Sequence, residues 1–453
     1  MDLDTYHSLY QRGQNALKDW ENQWPEVRVD DTLAVDPTVV EKAVTQLTQR
    51  LTDNYPFFHP QYAGQMLKPP HPVAMLGYML AMQINPNNHA LDGGPATSKM
   101  EKECVEALGR FFGLPNCLGH LTGGGTMANL EALWVAKQLH PDRFIVFSEE
   151  AHYTHKRMCD LIGADYVQIP ATYKGKMDLD ALKPLLEDGQ TGTVVATLGT
   201  TSLGALEPLE ELVALKEKYK FRIHLDTAYG GFYRALAESD PDLSAFTWTK
   251  DCNSIVVDPH KHGLQPYGCG CVLFADPGVG QVYQHDSPYT YFTSDELHLG
   301  EISLECSRPG AAAAALWLTL QCFPLEAERG FGPILKKTRQ AALTMAQALE
   351  ASAQLTLLHP PELDIVTFFP TGERVSEINQ RTEQLFTTAM TAEPEATVYL
   401  AKLTIPSARL RALHPDITQD AESLTVLRSC LMKPEHLTTA TSIVGQLISL
   451  VNP

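Results

Sequence analysis

SIVVDPHKHG, residues 254–263, decides the fold. An apolar, β-branched run from Ser254 to Val257 stops abruptly at Asp258, Pro259, His260 and Lys261. Such residues favour a buried, pleated strand, and proline cannot continue its ladder. The pattern predicts a strand that hands Lys261 to a loop at its carboxyl end. Open α/β sheets bind ligands at that edge. A lysine amine partly withdrawn from water there is a nucleophile towards aldehydes. Taken alone, the stretch fits a surface lysine after a strand equally well.

Moving outward, further strands are predicted at Arg143 to Phe147, Tyr166 to Ile169, Thr193 to Leu198, Phe221 to Leu225 and Gly270 to Phe274. Helical patterns such as Leu209 to Tyr219 lie between several of them. This alternation predicts an α/β fold with a large, mostly parallel sheet covered on both faces. A chain of 453 residues exceeds one simple core. Residues 1–60 read as an N-terminal helical segment and 61–325 as a large α/β domain. Residues 326–453 read as a smaller C-terminal domain mixing helices and short strands. The helical run Ala311 to Gln321 begins the connector between the two.

The formal net charge of -19 argues against a nucleic-acid partner or an anionic membrane surface. The polar N-terminus does not read as a signal peptide, and the apolar run Ala311 to Phe323 is too short to span a bilayer. Nine cysteines in no repeating framework suggest reduced thiols and a cytoplasmic protein. Cys269 and Cys271 alternate onto one strand face, with no second pair to complete a zinc site.

Four more loops carry chemistry. Gly123-Gly124-Gly125-Thr126 precedes a helical pattern from Met127 to Leu139. A glycine turn at a helix N-terminus offers free N–H groups to a phosphate, although a structural turn has the same sequence. It matches neither the P-loop nor the dinucleotide fingerprint, so a monophosphate suits it better. His224-Leu-Asp226-Thr-Ala228 ends a strand in an aspartate. Its carboxylate could hold a pyridine nitrogen protonated or simply cap a turn, and small Ala228 would let a ring lie flat. His152 could stack on the other face of such a ring, with His155 structural. The pair lacks the glutamate of HExxH, so no metal is expected. Thr201, at another strand end, could bond a phenolate oxygen. A lysine, an aspartate, a histidine and a threonine around a phosphate turn together indicate pyridoxal 5'-phosphate (PLP).

These segments resemble the group II PLP-dependent amino acid decarboxylases, which act on glutamate, tyrosine and other aromatic amino acids. DPHKHGLQPYGCG is similar to the family's Schiff-base segment and HLDTAYGGF to its pyridine-nitrogen segment. LTGGGTMANLEAL and EAHYTHKRMCDLIGA resemble its phosphate turn and ring-stacking histidine. HPQYAGQM, LECSRPGAAAAALW and VLRSCLMKPEH follow the same order, so the likeness runs from Tyr55 to Pro434. It implies the fold type I, aspartate-aminotransferase-like architecture and a homodimer with a shared active site. It further implies that Lys261 forms the Schiff base, Asp226 pairs with the ring nitrogen, His152 stacks and Thr201 meets the phenolate. Gly125, Thr126 and His260 would hold the phosphate, and Ser307 would add a hydroxyl from the partner subunit.

On the substrate side the resemblance points to Arg428 for a substrate carboxylate, with a structural salt bridge as the alternative. Phe58 and Tyr62 fall where relatives build the substrate pocket, and their aromatic character suggests an aromatic substrate or mere packing. The family's proton donor is a loop tyrosine. Residues 281–299 offer Tyr283, Tyr289 and Tyr291, of which Tyr291 is preferred. The expected reaction is loss of CO2 from an L-amino acid. The alternatives are a PLP-dependent carbon–carbon lyase acting on a β-hydroxy amine or amino acid, and a non-catalytic binding relative.

Overall fold

A computed structural model describes residues 1–283 and 303–451. The chain opens with helices α1 (Leu3–Glu21) and α2 (Pro37–Leu51), each begun by an aspartate whose carboxylate accepts a first-turn N–H. α1 rests on α3 (Pro72–Met82), and neither α1 nor α2 buries a residue. Helix α4 (Pro95–Phe112) leads into the larger sheet.

That sheet has seven strands: β1 (Leu118–Thr122), β2 (Phe144–Ser148), β3 (Tyr166–Ile169), β4 (Thr191–Thr197), β5 (Arg222–Asp226), β6 (Ser254–Val257) and β7 (Gly270–Phe274). Their spatial order is β1-β7-β6-β5-β4-β2-β3. From β6 to β3 every pairing is parallel, and only β7 runs against its neighbours. The expected mostly parallel sheet is therefore present. Every residue of β4 and β6 is buried, as required of strands covered on both faces. The covering helices are α5 (Gly125–Leu139), α6 (Thr154–Ile162), α7 (Leu179–Glu187) and α8 (Leu209–Tyr219). α8 shows why these segments are helical: Glu210 and Glu211 sit in its first turn and Lys216 and Lys218 in its last, matching the helix dipole.

β1 was not foreseen. Its sequence, LGHLT, carries a glycine and a histidine where a strand pattern wants branched apolar residues. Gly119 is needed because a Cβ there would lie 2.5 Å from the Val272 carbonyl oxygen. His120 is buried against Glu131 of α5, with Nε2 to Oε2 at 2.8 Å.

Helix α9 (Gly310–Cys322) packs on α3 and α4. Beyond it lies a second sheet, antiparallel throughout: β8 (Leu355–Leu357), β9 (Ile365–Pro370), β10 (Ala401–Pro406) and β11 (Ser423–Cys430), in the order β10-β11-β9-β8. Helices α10 (Phe331–Glu350), α11 (Val375–Thr391) and α12 (His436–Val451) share its core through Leu349, Leu385 and Ile443. The segment before α3 joins this sheet. Ala63 N–H donates to the Tyr399 carbonyl at 3.0 Å, and Cys430 N–H donates to the Ala63 carbonyl at 2.7 Å.

Candidate active site

The carboxyl ends of β1, β2, β4, β5 and β6 converge on a cavity of about 370 Å³. Such convergence follows from a parallel sheet, in which every strand ends at the same edge. Lys261 enters from the turn after β6, where its N–H donates to the Asp258 carbonyl at 2.9 Å. Its Nζ lies 3.1 Å from Asp258 Oδ2. Asp258 is buried and had no role in the sequence reading. Here it fixes the lysine head. Gly125 is required by proximity to the same carboxylate, since a Cβ there would lie 2.8 Å from Asp258 Oδ2.

The glycine turn does present an anion site. Gly124 has φ +149°, a conformation that favours glycine. No side chain caps α5, so its first N–H groups and positive dipole end face the cavity side. Gly123 N–H donates to the carboxylate of Glu305 at 2.8 and 3.1 Å. The turn thus already holds one oxyanion. Gly125, Thr126 and His260 line the same cavity. His260 is oriented by Nδ1 against the Cys269 carbonyl at 2.8 Å and by the Tyr267 ring at 4.8 Å. Burial pushes its pKa down, with Asp258 opposing.

His152, Thr201 and Ala228 also line the cavity. His152 Nδ1 lies 2.8 Å from Thr154 Oγ1, which sets the ring orientation. Burial depresses its pKa, so the neutral ring, the form suited to stacking, is favoured at neutral pH. Thr201 is exposed at the cavity wall, and Ala228 is buried beneath it.

Asp226 is 4% exposed and its carboxylate is nearly surrounded by donors. Oδ1 accepts from Ala228 N–H at 3.0 Å. Oδ2 accepts from His155 Nε2 at 2.9 Å and from Asn129 Nδ2 at 3.3 Å. Burial alone would raise the carboxyl pKa. The His155 hydrogen bond, the Ala228 N–H and the nearby Lys261 ammonium outweigh it and hold the group well below the usual carboxylate range. Neither His155 nor Asn129 was given this part by the sequence reading. His224 was legible in principle: it lies two residues before Asp226, on the same strand face. It reaches Asn129 Oδ1 at 2.8 Å.

The residues singled out for substrate stand apart from this cavity. Arg428 is buried on β11 and donates to backbone carbonyls, from Nη2 to Thr201 at 2.5 Å and from Nε to Ser202 at 3.1 Å. Among the described residues it has no ion pair, so it holds the Thr201 turn rather than a salt bridge. Tyr62 packs among Tyr55, Phe57 and Tyr399. Phe58 is 72% exposed. Ser307 Oγ accepts from Asn87 Nδ2 at 3.1 Å. Tyr283 is buried with its hydroxyl donating to Glu131 Oε2 at 3.0 Å, which removes it as a donor to this cavity. Tyr289 and Tyr291 lie outside the described residues.

An amine, a buried anion, a neutral imidazole and an uncapped helix terminus are the groups that PLP needs, and the oxyanion on Gly123 shows that the phosphate turn accepts such a charge. The sequence model of the pyridoxal-dependent decarboxylase conserved domain matches residues 29–369. A probable L-tyrosine/L-aspartate decarboxylase of Methanosphaera stadtmanae is 29% identical over 312 residues, covering 67% of this chain and 77% of that protein. An L-aspartate decarboxylase of Thermococcus kodakarensis is 26% identical over 351 residues, covering 75% and 86%. The crystal structure of Oryza sativa TDC with PLP and tryptamine superposes with a TM-score of 0.78 at 16% identity, covering all of this chain and 99% of that one. That last likeness establishes the fold, of type I.

Proposed function

The chain belongs to the pyridoxal-dependent decarboxylase family, and on that premise we propose how its own residues serve the reaction and what substrate they take. The protein is a PLP-dependent carboxy-lyase that decarboxylates an amino acid. PLP, when bound, supplies a conjugated electron sink for the bond to the departing carboxylate.

Lys261 would hold the cofactor covalently and later displace the product amine, with Tyr291 as the proton donor. Asp258 steadies its amine beforehand. Asp226 would keep the ring nitrogen protonated, and Ala228 and His152 would close on the two ring faces. Thr201, presented on the turn that Arg428 ties down, would meet the phenolate oxygen. Gly125, Thr126 and His260 would take the phosphate, displacing the Glu305 carboxylate from Gly123. Orientation of the scissile bond across the ring then selects which bond breaks. The observation that carries these roles is the convergence of Lys261, Asp226 and His152 from three separate strand ends on one cavity.

For substrate we propose an aromatic L-amino acid, tyrosine first. The aromatic segment Tyr55 to Tyr62 supports it, while the name of the Methanosphaera relative covers tyrosine and aspartate alike. L-aspartate is the second reading, favoured by the Thermococcus relative. It also draws on the ammonium of Lys433, which sits 2.7 Å from the Tyr62 carbonyl and has its pKa pulled down to about 8 by burial. CO2 release from the PLP-loaded protein across L-amino acids separates the two. Release from tyrosine with formation of tyramine supports the first, release from aspartate alone replaces it, and silence with both removes both.

We also propose a homodimer in the cytoplasm. The face of α2 that carries Val40, Val44, Leu47 and Leu51 repeats at helical spacing and is exposed, an apolar stripe that a second copy would cover. All nine cysteines are unpaired, as in a reducing compartment, and no described helix is long and apolar enough to cross a membrane. Residues 1–60, 61–325 and 326–453 would then be the arm, the cofactor domain and the small domain. Light scattering should give about twice the 50.0 kDa chain mass, and a monomer would remove the dimer and the placing of Ser307 near a partner's phosphate.

A further inference from the structure

His155 begins the helix that follows β2, one residue past its N-terminus, and is fully buried. Its backbone N–H donates to the carbonyl of His152 at 3.0 Å. Two histidines therefore share one turn with opposite duties. His152 faces the cavity, and His155 turns beneath the sheet edge to Asp226. Nδ1 of His155 has no hydrogen-bond partner among the described residues, so its one polar contact is the 2.9 Å bond from Nε2 to Asp226 Oδ2.

The second arm on Asp226 has a fixed polarity. Ser254 Oγ lies 2.9 Å from His224 Nδ1, His224 Nε2 lies 2.8 Å from Asn129 Oδ1, and Asn129 Nδ2 lies 3.3 Å from Asp226 Oδ2. Because Asn129 Oδ1 can only accept, His224 donates through Nε2 and its Nδ1 accepts from Ser254. Each donor in the chain points towards the carboxylate. Burial keeps His224 neutral, with its pKa pushed down to about 3, as that polarity demands.

A carboxylate has about four lone-pair sites. His155 and Asn129 fill both on Oδ2, and Ala228 fills one on Oδ1. One site on Oδ1 stays open, at a residue that lines the cavity. We propose that His155 is a positioning residue that holds Asp226 anionic and turned, so that the open Oδ1 lone pair meets the ring N–H of PLP. The His155 bond is the shorter of the two on Oδ2, and without it that oxygen would be left to a single 3.3 Å contact. Charge-assisted hydrogen bonds to a buried carboxylate are the costly ones to lose.

This proposal rests on the role given to Asp226 above. The test compares His155→Phe, which keeps a flat ring and removes the donor, with His155→Gln, which restores an N–H. Three quantities are read on full-length protein: PLP affinity by titration of the apoprotein, the absorption band of bound PLP, and kcat and KM for CO2 release. His155→Phe should weaken PLP binding and lower kcat, each roughly tenfold or more, with KM nearly unchanged. Its bound-PLP band should shift towards that of a ring with an unprotonated nitrogen. His155→Gln should recover most of the band and the affinity. A wild-type band and affinity in His155→Phe overturns the proposal, and so does equal impairment of both variants. In an Asp226→Ala background, His155→Phe should add no further loss of affinity, and additive losses overturn the proposal too. If Asp226→Ala alone leaves the band and affinity intact, the role of Asp226 itself has failed, and that of His155 with it.

Discussion

Asp226 and Phe58 mark the proposed cofactor and substrate regions, which lie apart. Asp226 is 4% exposed and receives hydrogen bonds from His155, Asn129 and Ala228, whereas Phe58 is 72% exposed and, among the described residues, has a ring contact only with His59. The cofactor half is built from strand ends inside the larger sheet, where a buried charge without a partner is costly. The proposed substrate half draws on the segment before α3 and on the small sheet. On that proposal, chemistry is rooted in the core and selectivity in what is laid against it. Changes in the first half should break the reaction itself, and changes in the second should shift which amino acid is taken or how tightly.

The largest expected effect is at Lys261. Lys261→Ala should lower CO2 release on the order of a thousandfold. Residual turnover within tenfold of wild type would sink the covalent role. Tyr291→Phe should keep PLP bound but abolish amine formation, measured by chromatography of the product. Unchanged turnover would take Tyr291 out of the mechanism.

Arg428 tests where the two halves join. If it only received substrate, Arg428→Ala would raise KM and leave folding alone. Its bonds to the Thr201 and Ser202 carbonyls predict in addition a stability loss of about 1–3 kcal/mol in urea unfolding. A rise in KM without that loss would return Arg428 to substrate binding alone.

Acid should strain the buried histidines next. His224 and His436 are pushed by burial to about 3 and about 4. In the unfolded chain both would titrate near about 6.5. Between those values the unfolded state binds more protons, so stability is full at neutral pH and declines as pH falls from about 6.5 towards 4. Replacing His224 with Asn should flatten that decline, and an unaltered pH profile would show that His224 does not drive it. The smallest effect belongs to Phe58. Phe58→Ala should change stability by less than about 0.5 kcal/mol, with any consequence confined to the preference among amino acids.

Much of the cofactor half was legible from local pattern. β3, β6 and β7 span the expected residues, and β2, β4 and β5 differ from expectation by a residue or two at their ends. A β-branched run that stops at a polar residue marks both the strand and the loop, and Lys261, Asp226, His152 and Thr201, named from the sequence, all line one cavity. β1 escaped because its burial is satisfied by a glycine tucked under Val272 and a histidine paired with Glu131, neither of which looks like a strand. Asp258 escaped because a carboxylate three residues before a lysine reads as an ordinary turn.

The amino-acid sequence by itself determined the α/β sheet and the cofactor and named residues that line one cavity, since periodicity and strand-end chemistry are local properties of the chain. Only the tertiary structure decided what stands behind those residues. His155 and Asn129 lie 71 and 97 positions from the carboxylate they hold, and Arg428 lies 227 from the carbonyl it ties down. A buried carboxylate or carbonyl must find its donor among whatever side chains packing brings within hydrogen-bond distance, and that distance is set by how helices and strands lie on one another, not by spacing along the chain.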